Sequence, residues 1–321
     1  MSPKQSRRRR SLGLALAFAV CLGAIVLPVA SCRKTPSVKA PDARSVKPPH
    51  PERAAQWPRR ELIMGLTPSI SAKMLREVFR PLADYLETQL GVKIRIKVAK
   101  SYGELALWLG NGTVDFARLS PYNYVLTKKK LPGIALVARE ISDGAEHYRS
   151  YIIVRRDSGL TSLAQLKGKR FGFVDKRSTS GYLFPLHMLM QQNLDPKRMF
   201  SEVRFLGNHL NTVRAVIEKR VDAGAVYSSV LESTRHVGLH PELLSIIGKS
   251  ERIPYDAYCL RPGVSPAFAA RLRTLLTSIT SRTELGQRIL RGATNLNGFV
   301  AAKDQDYASI RRVLATVGSG R

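Results

Sequence analysis

From Glu61 onward, short runs with strand character alternate with longer amphipathic segments, and this alternation limits the folds open to the chain. Residues 62–66, 134–139 and 151–154 are apolar strand-like runs, and Val92-Lys-Ile-Arg-Ile-Lys-Val98 alternates at period two, as a half-exposed strand does. Residues 74–90 place apolar groups at helical spacing, and 103–109 and 122–130 read as shorter helices. A second series follows, with strands expected over 170–174, 203–206, 221–226 and 244–247, and helices over 182–192, 211–218 and 230–235. Residues 256–260 form a strand that can return the chain to the first series, and 267–280 and 305–317 are closing helices. The pattern predicts an α/β fold whose sheets are mostly parallel and flanked by helices. Val114-Asp-Phe-Ala117 and Val221-Asp-Ala-Gly224, each following a helix, echo one another and suggest two lobes of similar plan. Ligands bind such sheets beyond the carboxyl ends of the strands, which with two lobes means the cleft between them.

The join between the 170–174 strand and the helix after it concentrates the chemistry. Ser178, Thr179, Ser180 and Gly181 stand where a helix leaves its first backbone N–H groups without internal partners. Hydroxyls, free amides and the positive end of the helix dipole together suit a tetrahedral oxyanion, and Gly181 lets the backbone approach it. Taken alone, the Ser-Thr-Ser run is equally a well-provided helix cap.

Residues 1–31 read as an export signal: Lys4 and Arg7 to Arg10 give a basic start, and residues 12–30 carry no charge. Val29-Ala-Ser-Cys32 resembles the lipobox of bacterial lipoproteins, which implies cleavage before Cys32 and lipid attached to it. An uncleaved anchor is the other reading, since the uncharged run is nearly long enough to span a bilayer. Arg7-Arg-Arg-Arg-Ser-Leu12 suits either twin-arginine or ordinary secretory export. Residues 32–60 follow as a tether, with six prolines and few large apolar groups, reaching about 85 Å if extended as polyproline. Of three cysteines only Cys259 lies in the folded part, so no internal disulfide or cysteine-based metal centre is available there.

The formal charge is +28, and residues 1–60 hold 13 Lys/Arg against 2 Asp/Glu, so much of the excess remains in the folded part. Without a nucleic-acid fold signature, and in an exported chain, that charge points to small anions rather than DNA. Lys128-Lys-Lys130 sits at a helix end, where cations favour the dipole.

Several stretches resemble the periplasmic phosphonate-binding proteins of ABC transporters, a family that includes phosphate and phosphite binders. They are Gly65-Leu-Thr-Pro68, Pro81-Leu-Ala-Asp-Tyr-Leu86, Leu90-Gly-Val92, Gly112-Thr-Val-Asp-Phe116 and Ser120-Pro-Tyr122, then Leu163-Ala-Gln-Leu-Lys-Gly168 and Ile253-Pro254. The most specific is Ser178-Thr-Ser-Gly-Tyr-Leu-Phe-Pro185. The resemblance implies a two-lobed type II binding-protein fold, lobe 1 being 61–152 plus 256–321 and lobe 2 153–255, closing on ligand by hinge motion. It also implies that Ser178, Thr179, Ser180 and Gly181 hold the anionic head of the ligand. Tyr102, Tyr148 and His209 would complete the shell, and Asp256 would contact a ligand amine or a protonated oxyacid.

Two departures stand out. Aminoethylphosphonate binders of the family carry a second acidic group where this chain has Ser228 or Ser229, which favours phosphate, phosphite or a simple phosphonate. Arg118 stands where relatives have an aromatic, either charging the cleft or sitting at its rim. The expected protein is therefore a monomeric, membrane-anchored lipoprotein of the periplasm or cell envelope, delivering a phosphorus oxyanion to an ABC permease. The same fold also serves as a ligand sensor for a membrane kinase. Ser180, His209 and Asp256 contain the elements of a hydrolytic triad, but no Gly-x-Ser-x-Gly elbow, Walker-A loop, dinucleotide fingerprint or zinc-type His pair occurs. No enzyme activity, cofactor or metal is expected.

Overall fold

The computed structural model describes residues 61–290 and 295–319; the export signal, Cys32 and the tether lie outside them. The first part of the chain gives β1 (Glu61–Leu66), α1 (Ala72–Leu90), β2 (Lys93–Val98), α2 (Tyr102–Gly110), β3 (Phe116–Leu119), α3 (Pro121–Lys130) and β4 (Ala135–Ser142). Next come β5 (His147–Tyr148), β6 (Ser150–Arg155), β7 (Arg170–Phe173), α4 (Phe184–Met190), β8 (Glu202–Phe205), α5 (His209–Ile217) and β9 (Ala223–Tyr227). The remainder is α6 (Val230–Arg235), β10 (Leu244–Lys249), β11 (Ile253–Pro254), β12 (Ala257–Leu260), α7 (Pro266–Thr277), α8 (Glu284–Leu290), β13 (Leu296–Ala301) and α9 (Ala308–Ser319).

Among the described residues the strands form a six-stranded sheet, ordered β13-β4-β12-β3-β1-β2, and a five-stranded one, ordered β10-β6-β9-β7-β8. A short β5–β11 ladder pairs the two segments that run between them. The sheets are mixed, which corrects the expectation that they are mostly parallel. β1 is parallel to β2 and β3, and β7 to β8 and β9, while β12, β4 and β13 are antiparallel additions, as are β6 and β10. The cause is the crossing. β6 and β12 arrive from the other sheet at the edge where their parallel neighbours end, so each must run the opposite way, and β4 and β10 then pair antiparallel to them.

The two sheets share a local device. Asp115, before β3, accepts a hydrogen bond from the Ile63 amide (2.8 Å), and its own amide donates to the Ile63 carbonyl (2.9 Å). Asp222, before β9, does the same with Arg170, at 2.8 and 3.0 Å. The Val-Asp echo in the sequence is thus a repeated clamp between parallel strands. α1 covers the larger sheet with Leu75, Phe79, Leu82, Leu86 and Leu90, all buried, as its helical spacing requires. α8 and β13 were not legible beforehand, because Asn297-Gly298 interrupts the strand pattern and the β13–β4 register shifts there.

Candidate functional site

After β7 the chain does not enter an ordinary helix. The Ser178 hydroxyl accepts the Gly181 amide (3.0 Å), and residues Thr179–Leu183 form a wide π turn before α4 begins. Asp175 braces the approach, accepting the Arg177 amide through Oδ1 (2.7 Å). Ser178, Thr179 and Ser180 are almost wholly buried, and all three line one cavity of about 150 Å³. Gly181 is not part of that lining. A Cβ there would lie 2.5 Å from Val174 Cγ2 and 2.8 Å from Ser178 Oγ, so glycine is required where the turn packs back on the strand it has just left.

Tyr102 at the start of α2, Tyr148 on β5, His209 at the start of α5 and Asp256 just before β12 line the same cavity. The Tyr102 phenol lies beside Ser178, and the Tyr148 phenol beside Ser180 and Thr179. Burial holds both phenols well above their usual pKa, so they stay protonated. Tyr148 is stacked on Tyr255, with ring centroids 5.0 Å apart. His209 Nδ1 accepts the Tyr227 amide at 3.3 Å, and burial pushes its pKa down to about 3. The ring is therefore neutral with its proton on Nε2, a hydrogen-bond donor without charge.

Four further contacts cross between elements of the two sheets. Thr179 Oγ1 accepts the Tyr122 amide (2.9 Å), and Arg177 donates to Asn123 Oδ1 (3.2 Å). Ser120 Oγ donates to the Arg177 carbonyl (3.3 Å), and the His209 amide to the Ser69 carbonyl (3.0 Å).

Arg118 lies inside the cavity, its side chain only 14% exposed. It donates to Glu140 through Nε (2.6 Å) and Nη2 (2.8 Å), a bidentate pair that Tyr258 extends by donating to Glu140 Oε1 (2.9 Å). Its Nη1 is 2.8 Å from Asp256 Oδ2 but not aligned for a hydrogen bond, so that contact is ionic rather than directed. Burial works against the Arg118 charge, but Asp256 and Glu140 outweigh it and raise its pKa. Burial also pushes the Asp256 carboxyl up to about 7, against the pull of Arg118 and with the repulsion of Glu140.

Glu140 lies one residue beyond the strand that the sequence predicts over 134–139. The signal was present: Ala138, Glu140 and Ser142 are buried at period two, so a carboxylate stands on an inward face. Thr67, Ser69, Tyr227 and Ser229 also line the cavity. Ser228 instead accepts the Arg149 amide (3.3 Å), so Ser229 is the one of that pair at the site. Ile70, Leu75, Val78 and Phe79 give the cavity an apolar part of its lining.

Residues 64–307 match a family model described as the phosphonate periplasmic substrate-binding protein of ABC transporters. The chain is 26% identical over 278 residues to the phosphate-import protein PhnD of Mycolicibacterium smegmatis, covering 80% of this chain and 86% of that one. It is 27% identical over 218 residues to the phosphonates-binding periplasmic protein of Escherichia coli, covering 66% and 64%. The fold matches a binding protein component of an ABC phosphonate transporter from Pseudomonas aeruginosa with a TM-score of 0.74, at 23% identity, over 80% of this chain and 86% of the other.

Proposed function

Because the chain belongs to the family of periplasmic phosphonate-binding proteins of ABC transporters, we propose that it captures a phosphorus oxyanion in this cavity and hands it to a permease. The observation that carries the reading is the buried run of Ser178, Thr179 and Ser180 lining one cavity together with Tyr102 and Tyr148. A tetrahedral anion needs many donors around it, and hydroxyls and N-terminal amides supply them without a competing negative charge. Neutral His209 adds an N–H donor. Asp256, when protonated, adds an O–H donor that can face a phosphoryl oxygen without repulsion.

Capture proceeds without bond chemistry. A hydrolytic triad would need His209 Nδ1–H to donate to Asp256, but Nδ1 is an acceptor for the Tyr227 amide and Asp256 faces Arg118. The lobes, 61–152 with 256–321 and 153–255, open and close about the crossing segments, and the Thr179–Tyr122 and Arg177–Asn123 bonds belong to the closed state. Lipid on Cys32 and the 32–60 tether would hold a monomer beside the membrane, within reach of its permease.

Isothermal titration of the full chain with phosphate, phosphite, methylphosphonate, aminoethylphosphonate and sulfate tests the reading. Tight binding of a phosphorus anion with sulfate silent supports it; no heat from any of the five sinks it.

A further inference from the structure

We propose that Arg118 makes this a site for phosphonates with a short, uncharged alkyl substituent and excludes those that carry an ammonium group. The proposal rests on the phosphorus-oxyanion reading above and specifies which members of that class enter.

Two carboxylates line the cavity, Glu140 and Asp256, and either alone would draw a cationic ligand tail. Both already face one fixed cation. Glu140 receives two hydrogen bonds from Arg118, at 2.6 and 2.8 Å, and a third from Tyr258. Asp256 lies 2.8 Å from Nη1 of the same guanidinium. Phe79 covers the guanidinium, with Cζ 5.4 Å from the ring centroid, so the cation is held in place by packing as well as by charge. Arginine does not lose its proton in a protein, so the cation cannot be removed to make room for another. An ammonium entering here would face like-charge repulsion in a poorly screened space, beside carboxylates that are already paired.

The remaining wall is apolar: Ile70, Leu75, Val78, Phe79 and Leu296. Methylene groups on phosphorus would be buried there favourably. These side chains offer an apolar surface to a substituent on phosphorus but no fixed partner for a charge on it. Arg118 therefore occupies, as part of the protein, the place that a ligand cation would otherwise take.

The test compares propylphosphonate with 2-aminoethylphosphonate, which have the same number of heavy atoms and differ by a terminal methyl or ammonium group. Titrated into the full chain, propylphosphonate is expected to bind at least tenfold more tightly. Equal or tighter binding of the amine overturns the inference. So does binding of phosphate or phosphite with both organic ligands silent, which leaves the oxyanion reading intact. Silence from all four removes that reading and the inference with it. In Arg118→Gln the carboxylates are released, and the preference is expected to shift at least tenfold towards the amine. An unchanged ratio in a folded variant, as judged by circular dichroism, assigns the selectivity elsewhere and overturns the role of Arg118. If the variant does not fold, the wild-type ratio alone decides.

Discussion

Ser178 and Thr179 are the residues where the proposed site is most exposed to test. Each hydroxyl already has a structural partner, the Gly181 amide for one and the Tyr122 amide for the other, and each keeps a hydroxyl hydrogen that can be directed at an anion. Ser178→Ala and Thr179→Ala should each weaken oxyanion binding by about 1–3 kcal/mol, the range for charge-assisted hydrogen bonds, as read by titration calorimetry. Undiminished affinity in both would move the ligand elsewhere. Asp256 gives a second residue-scale prediction. Its folded pKa, about 7, stands above the ordinary carboxyl value of 3.8, so the folded state holds the proton more firmly than the unfolded chain. The resulting stabilisation is complete below about pH 4 and lost as pH rises through about 7. Relative to Asp256→Asn, the wild type should therefore lose about 1.4 kcal/mol of stability per pH unit over that window. Urea unfolding at pH 4.5, 5.5 and 6.5 measures it; a constant difference between the two proteins would show that Asp256 does not titrate there. His209 tends the opposite way, since its lowered pKa makes acid destabilising, but it is common to both proteins and cancels in the comparison.

At the scale of elements, the π turn Thr179–Leu183 is the feature on which the site depends. It is wide because the Gly181 amide turns back to Ser178 Oγ and the backbone packs against Val174. Gly181→Ala puts a Cβ 2.5 Å from Val174 Cγ2. The expected cost is about 1–3 kcal/mol from overpacking, despite alanine's better helix propensity. Val174→Ala in the same chain should restore part of it, and urea midpoints at constant slope are the readout. A fully stable Gly181→Ala protein would mean that the turn relaxes without strain. The glycine was noticeable in the sequence, but the expected reason, close approach of a ligand, differs from the contact that the fold imposes.

At the scale of the whole molecule, the proposed hinge motion would move the two sheets against each other about the crossing segments, and the bonds between residues 120–123 and 177–179 would then belong to the closed arrangement. Saturating ligand should lower the radius of gyration in small-angle scattering, and identical curves with and without ligand would contradict hinge closure. Replacing Cys32 with serine should shift the chain from the membrane to the soluble fraction and abolish lipid labelling. Retention of the variant in the membrane would favour the uncleaved anchor.

The sequence by itself determined the alternation of strands and helices, the repeated Val-Asp motif and the family, because these rest on local periodicity and short motifs. It also singled out Ser178, Thr179, Ser180, Tyr102, Tyr148, His209 and Asp256, which the fold brings to one cavity although more than 150 positions separate the first from the last. Only the tertiary structure decided the mixed strand directions, since orientation depends on the edge at which a crossing strand enters its sheet. It alone brought Arg118, Glu140 and Asp256 together from three different strands or strand ends. Spacing along the chain carries no trace of such a triad, because ionic pairing acts through distance in space and not through sequence separation.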